Sequence, residues 1–144
     1  MREPLFLNYW SPMKYLCIVT AAIELGAGVA LLGVPAAAGE LLFGEPLTGA
    51  AALILARIGG VALISLAVAC WFARSETQSR AARGLIAAML LYNVATSALL
   101  AYAGVYLRLH GIALCPGAVL HAAMAAWCMT CLARRSTQRS LENK

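Results

Sequence analysis

Residues 49–73 read GAAALILARIGGVALISLAVACWFA, and Arg57 is the single charged residue among them. As a helix rising 1.5 Å per residue, the run covers about 37 Å, enough to cross roughly 30 Å of hydrocarbon. It is rich in alanine and leucine and does not alternate polar with apolar positions. A spanning strand needs only about 10 residues of alternating character, so a helix is the reading that fits. Three more runs share this character. Residues 15–34 are apolar except for Glu24, residues 84–107 hold no charged side chain, and residues 111–133 carry His121. The chain reads as one all-α domain over residues 1–144, an integral membrane four-helix bundle.

Composition agrees. Of 144 residues, 62% are hydrophobic and 12% charged, against about 25% charged in soluble domains. So little polar surface cannot cover a water-soluble fold, and the lipid bilayer is the first partner expected. The net charge of +5 does not call for nucleic acid, because its distribution follows topology. Arg2 and Lys14 precede the first span, Arg74, Arg80 and Arg83 join the second to the third, and Arg134, Arg135, Arg139 and Lys144 follow the fourth. The first connection has no basic residue and carries Glu40 and Glu45; the third holds only Arg108 and His110. The positive-inside rule then predicts that both termini are cytoplasmic. No small-residue cleavage site follows a short apolar core, so the first span is expected to stay in the protein.

Two flanking segments suit the membrane surface. Residues 4–10 (PLFLNYW) mix aromatic and aliphatic side chains, as interfacial segments do. Residues 36–46 (AAAGELLFGEP) are too apolar for a solvated loop. They predict a short external interfacial helix between spans one and two, ended by Gly44 and Pro46, that acts as a lid or a surface anchor.

Ionisable groups inside the spans carry the functional reading, since a charge at mid-bilayer costs at least about 2.5–3.5 kcal/mol and is usually paired and usually functional. Counted from the external ends of the runs, Glu24 lies ten residues deep, Arg57 eight and His121 ten. That is about 12–15 Å, near mid-bilayer. Ser97 and Thr96 fall at ten and eleven residues in span three, with Asn93 a turn deeper and Tyr92 beside it. The spacing predicts a polar layer to which all four helices contribute, with Glu24 touching Arg57 and His121 facing the same interior. A self-satisfied layer is a clasp that fixes helix assembly. With space beside it, the layer is a pocket in which Arg57 anchors a ligand, or a relay through Glu24 and His121. Small residues next to the charges, Ala27 and Gly28 in span one and Gly59 and Gly60 in span two, permit close helix packing or leave room for a molecule.

Cys17, Cys70, Cys128 and Cys131 fall near the cytoplasmic ends of their helices. Four thiols at one level suit a soft metal, and Cys128-x-x-Cys131 has ligand-like spacing. Cysteine is also a small buried apolar residue, and no second CxxC or histidine shares that level, so no metal site is assigned and no cofactor is named. Trp71, Tyr102 and Tyr106 suit an aromatic belt, Trp127 suits packing, and Pro116-Gly117 suits a helix start. The segment FARSETQ at 72–78 echoes LARRSTQ at 132–138. Two parallel in-out-in hairpins would produce that echo, as would a stop signal shared by two helices that end at the cytoplasm.

The stretch ELGAGVALLG at 24–33 resembles one that recurs in DoxX-like small bacterial membrane proteins, which are four-helix proteins of this size. The resemblance implies the bacterial cytoplasmic membrane and a quinone-linked or accessory role, and it carries no site residues. Three functions are open at this point. The chain binds a small molecule or couples proton and solute movement, as a homo-oligomer; or it is a non-catalytic subunit beside partner membrane subunits; or it is a membrane redox enzyme acting on quinones or thiols. No catalytic constellation is visible, which favours the first two.

Overall fold

Capping residues set where the helices begin and end. The computed structural model describes residues 12–76 and 79–142, with side chains as far as Ala133. In order come α1 (Pro12–Gly33), α2 (Pro35–Phe43), α3 (Ala50–Ala73), α4 (Arg80–Val105) and α5 (Leu114–Glu142). The expected interfacial segment at 4–10, residues 77–78 of the echoed stop sequence and the side chains from 134 onward lie outside the described residues. Four helical stretches are long and apolar enough to cross a bilayer: α1, α3, α4 and the Leu114–Ala133 part of α5.

Helix starts depart from the hydropathy limits by a few residues, for a local reason. Helix α4 begins at Arg80 rather than at residue 84, because the Ser79 hydroxyl accepts the Ala82 N–H at 3.0 Å and caps the first turn. Hydropathy marks where lipid begins; the cap marks where the helix begins. Pro116 falls in the first turn of α5, where its missing N–H costs nothing. The expected short helix is present as α2, with Pro35 in its first turn. It ends at Gly44, whose φ of 83° only glycine adopts freely, and the Gly44 N–H closes on the Glu40 carbonyl.

Two helix pairs make the bundle. Helix α1 packs chiefly on α3, and α4 on α5. The first pair is drawn together where two glycines meet: a Cβ on Gly28 would stand 2.7 Å from the Gly60 carbonyl oxygen, and one on Gly60 would stand 2.7 Å from the Gly28 carbonyl oxygen. Backbone therefore touches backbone, and both positions are buried.

The pairs join at both ends. Where α1 begins, Leu16, Cys17, Cys70, Ile86, Met89 and Cys128 are completely buried in one cluster drawn from all four spanning helices. At the other end, the α4–α5 loop reaches over α2. The His110 N–H donates to the Phe43 carbonyl at 3.2 Å and the Ala113 N–H to the Leu41 carbonyl at 3.0 Å. Between these bonds, Gly111 lies against the Leu42 and Phe43 backbone with no room for a side chain. The short helix is thus fastened by backbone to the second pair, as a brace rather than a free lid. Arg108 turns the chain with φ 57°, and the Leu109 N–H returns to the Ala103 carbonyl at 3.1 Å in the manner of a Schellman ending.

The exterior is apolar. Leu55, Ile58, Phe72, Leu91, Leu99, Val119 and Ile112 are exposed, a surface that lipid covers and water would not.

Candidate functional site

Glu24 is 3% exposed and Asn93 1% exposed, although both sit in spanning helices. Burial of such groups without partners would cost several kcal/mol each, and the structure supplies partners from α4 and α5. The Tyr92 hydroxyl donates to Glu24 Oε2 at 3.2 Å. Thr96 lies one turn along α4 from Tyr92. The Asn93 amide nitrogen donates to the Met89 carbonyl at 2.8 Å, which fixes the amide so that its oxygen faces His121. His121 Nδ1 lies 2.8 Å from that oxygen. Because the amide oxygen can only accept, Nδ1 carries the proton, and in a neutral imidazole Nε2 is left as an acceptor. The Tyr92 and His121 rings meet edge to face, with centroids 5.5 Å apart. Glu24, Tyr92, Asn93 and His121 thus form one contact chain across three helices.

Their common level has a simple origin. Twelve residues separate Pro12 from Glu24 and Arg80 from Tyr92, so these two groups each lie about 18 Å along their helices from the same end of the bundle, and the contact with Tyr92 brings His121 to the same level.

Arg57 departs from the expected layer. It is exposed on α3, and among the described residues no ion pair joins it to Glu24. The Gly28–Gly60 contact explains why. Gly28 lies between Gly60 and Ile64, and Gly60 between Gly28 and Leu32, so in this antiparallel pair Glu24 stands level with Leu66 and Arg57 level with Gly33, an offset of about 14 Å. Opposite charges share the membrane region, but at different heights. Counting from the external ends of the runs placed them together because it assumed that α1 and α3 end at one height. At the level of Glu24, α3 offers Ser65, which is exposed and bonds to its own Val61 carbonyl at 2.9 Å. Three helices, not four, build the layer. Ser97 also stands apart, donating to the Ala118 carbonyl at 3.0 Å and tying α4 to α5.

One buried group is left over. The Thr20 hydroxyl, one turn from Glu24 on the same face of α1, is 1% exposed and has no hydrogen-bond partner. Met89, whose carbonyl orients Asn93, was not singled out from sequence, since a main-chain acceptor leaves no mark in residue identity.

Away from the layer, a wholly apolar groove of about 340 Å³ runs between α1 and α3, lined by residues that include Leu25, Ala67, Trp71 and Phe72. Arg74 stacks over the Trp71 ring at 3.7 Å. A more open hollow of about 410 Å³ lies where α2 meets the α4–α5 loop, with Glu40 and His110 on its rim. The four cysteines named from sequence are buried. Among the described residues, no three or more His, Cys, Asp or Glu groups are arranged to hold a metal ion.

The structure supports a small all-α membrane protein with four spanning helices and an intramembrane polar network. Comparison with protein-family models, curated proteins and solved structures found no match to this chain.

Proposed function

We propose that the chain binds a proton, and with it a small polar molecule, at the layer formed by Glu24, Tyr92, Asn93 and His121. One observation carries this reading: a carboxyl group deep in a spanning helix is held by a neutral phenol rather than by a cation. A clasp built only for assembly would satisfy itself, and here the Thr20 hydroxyl beside Glu24 is unsatisfied. Intramembrane carboxyls in such settings are the usual seats of proton exchange. In this reading Glu24 exchanges the proton, Tyr92 orients the carboxyl, and Asn93 fixes His121 so that Nε2 accepts from the bound molecule. In this reading both chain ends lie in the cytoplasm, as the distribution of basic residues predicts.

The test uses the purified chain in liposomes with an internal pH dye and an imposed potassium diffusion potential. Wild-type protein should acidify or alkalinise the lumen according to the sign of the potential. Glu24→Gln should abolish the response, and Tyr92→Phe should weaken it. Equal proton movement in wild type and Glu24→Gln, or none in either, overturns the reading.

A second reading, a subunit of an oligomer or of a larger membrane complex, rests on Arg57. A guanidinium exposed on a spanning helix, with no acidic partner among the described residues of its own chain, suits an acidic group on a neighbouring subunit. Crosslinking in native membranes tests it: a cysteine in place of Ile58 should trap a second copy or another protein.

A further inference from the structure

The apolar groove between α1 and α3 lies within one leaflet. Along α1 its lining runs from Ile18 to Leu25, and along α3 from Ala67 to Phe72. The stretch from Ile18 to Leu25 spans about 10 Å, inside the roughly 15 Å that half a bilayer core provides. Its surface end is the end of the bundle where α1 begins and α3 finishes, since Phe72 is next to the last residue of α3. The buried Ala21 and Ala67 form its floor, and alanine there leaves a depth that a larger side chain would fill.

Width decides what fits. Spread over about 10 Å, the 340 Å³ gives a cross-section of about 34 Å², against roughly 80–110 Å² for a helix about 10–12 Å across. A helix from a second copy would sit on the rim, whereas an extended hydrocarbon chain lies inside. The wholly apolar lining also leaves a polar ligand without partners.

A cation stands at the surface end. Arg74 follows the last residue of α3, and its guanidinium lies over the Trp71 ring at 3.7 Å and donates to the Trp71 carbonyl. Trp71 itself lines the groove, so these two contacts fix the cation at the groove's mouth. They engage one face and one nitrogen of the group, and no carboxylate pairs with it among the described residues. A planar guanidinium held this way presents its remaining N–H groups as a fork, a geometry that suits phosphate. The connection that follows carries Glu76, Arg80 and Arg83, so its balance stays positive.

We propose that the groove holds one acyl chain of an anionic phospholipid, with the lipid phosphate on Arg74. The apolar walls bind the chain, and Arg74 selects the headgroup. A phosphate without an amine of its own, as in phosphatidylglycerol, keeps its charge for the guanidinium, whereas phosphatidylcholine brings a competing cation. The proposal is independent of proton exchange at Glu24.

The test reconstitutes the full chain in phosphatidylcholine bilayers that contain a fixed fraction of lipid with brominated acyl chains, either phosphatidylglycerol or phosphatidylcholine. Bromine quenches tryptophan on contact, and Trp10→Phe with Trp127→Phe leaves Trp71 as the reporter. Brominated phosphatidylglycerol should reach Trp71 with at least about 5-fold higher relative affinity, the effect of one basic residue at an anionic surface. Arg74→Gln should remove that preference, and Arg80→Gln, at an exposed position on the same connection, should keep it. Ala22→Phe, which places a ring in the groove, should lower quenching by both lipids. Equal quenching by the two lipids overturns the proposal. So does equal loss in Arg74→Gln and Arg80→Gln, which would show diffuse surface attraction. Quenching that falls as protein density rises at constant lipid composition would put a second copy on the groove and also overturn it. A measurement on the unaltered chain guards against a misfolded variant. In native mass spectrometry, wild type should retain one phosphatidylglycerol at collision energies that strip phosphatidylcholine, and equal retention of both overturns the proposal.

Discussion

Replacing Gly28 with alanine tests what holds the first helix pair together. The added Cβ would stand 2.7 Å from the Gly60 carbonyl oxygen, 2.8 Å from Ile64 Cγ1 and 3.0 Å from the Ile64 nitrogen. Ile64 can swing its side chain aside, but two of the three obstacles are backbone. Ordinary contact begins near 3.4 Å, so α1 must retreat from α3 by about 0.7 Å. Overpacking of this kind costs about 1–3 kcal/mol. Gly26 is the control, since a Cβ there meets nothing within 4 Å and alanine gains up to about 1 kcal/mol of helix propensity. The propensity gain is common to both positions, so two alanines placed two residues apart should differ by the overpacking cost, about 1–3 kcal/mol, with Gly28→Ala the less stable and Gly26→Ala neutral or stabilising. The two contacts are reciprocal, so Gly28→Ala with Gly60→Ala should cost less than the separate effects combined, because one retreat relieves both. Denaturation by SDS in mixed micelles, followed by helicity and tryptophan fluorescence, measures the difference. Gly28→Ala within about 0.5 kcal/mol of Gly26→Ala would refute the backbone contact, and with it the register that separates Arg57 from Glu24.

Three further outcomes follow from the polar groups. Tyr92→Phe removes the donor to Glu24 and should cost about 0.6–1.7 kcal/mol in the same unfolding assay, the range for hydrogen bonds inside membranes; in a Glu24→Leu background the same change should cost almost nothing. Asn93→Leu leaves His121 Nδ1 unpaired and should cost about 1–3 kcal/mol, much of which His121→Leu should restore by removing the orphaned ring. Arg57→Leu removes an exposed guanidinium from a spanning helix, so the full chain should insert its third helix more efficiently, by up to about 2.5–3.5 kcal/mol, as read from glycosylation-mapped topology. Unchanged insertion would mean that Arg57 already reaches the headgroups.

How much of this was legible in the chain depends on the length scale of each interaction. The spans follow from hydropathy alone, and α2 follows from Gly44 and Pro46, because both are local. Glu24, Tyr92, Asn93 and His121 were visible as polar residues within apolar runs, and the contacts that join them, with Glu24 and Asn93 buried, form an intramembrane polar network. Their pairing was not visible, since pairing depends on how one helix slides against another. That slide is set by Gly28 against Gly60, both of which stood out as small residues beside charges. Read as each other's partners, they would have placed Arg57 a turn and a half or more away from Glu24.

The loop that crosses α2 has a consequence for biogenesis. Its two bonds pair main-chain N–H groups at His110 and Ala113 with the carbonyls of Phe43 and Leu41. Those acceptors belong to the first half of the chain and their donors to the second. As the polypeptide leaves the ribosome, the first half inserts with the end of α2 still facing water, and only arrival of the last hairpin lets it settle. Because the bonds are main-chain, substitution at these positions leaves them in place, whereas an inserted or deleted residue in the loop would break both. The protein should therefore tolerate changes of residue identity at His110 and Ala113, though not at Gly111, which has no room for a side chain, and reject changes of loop length.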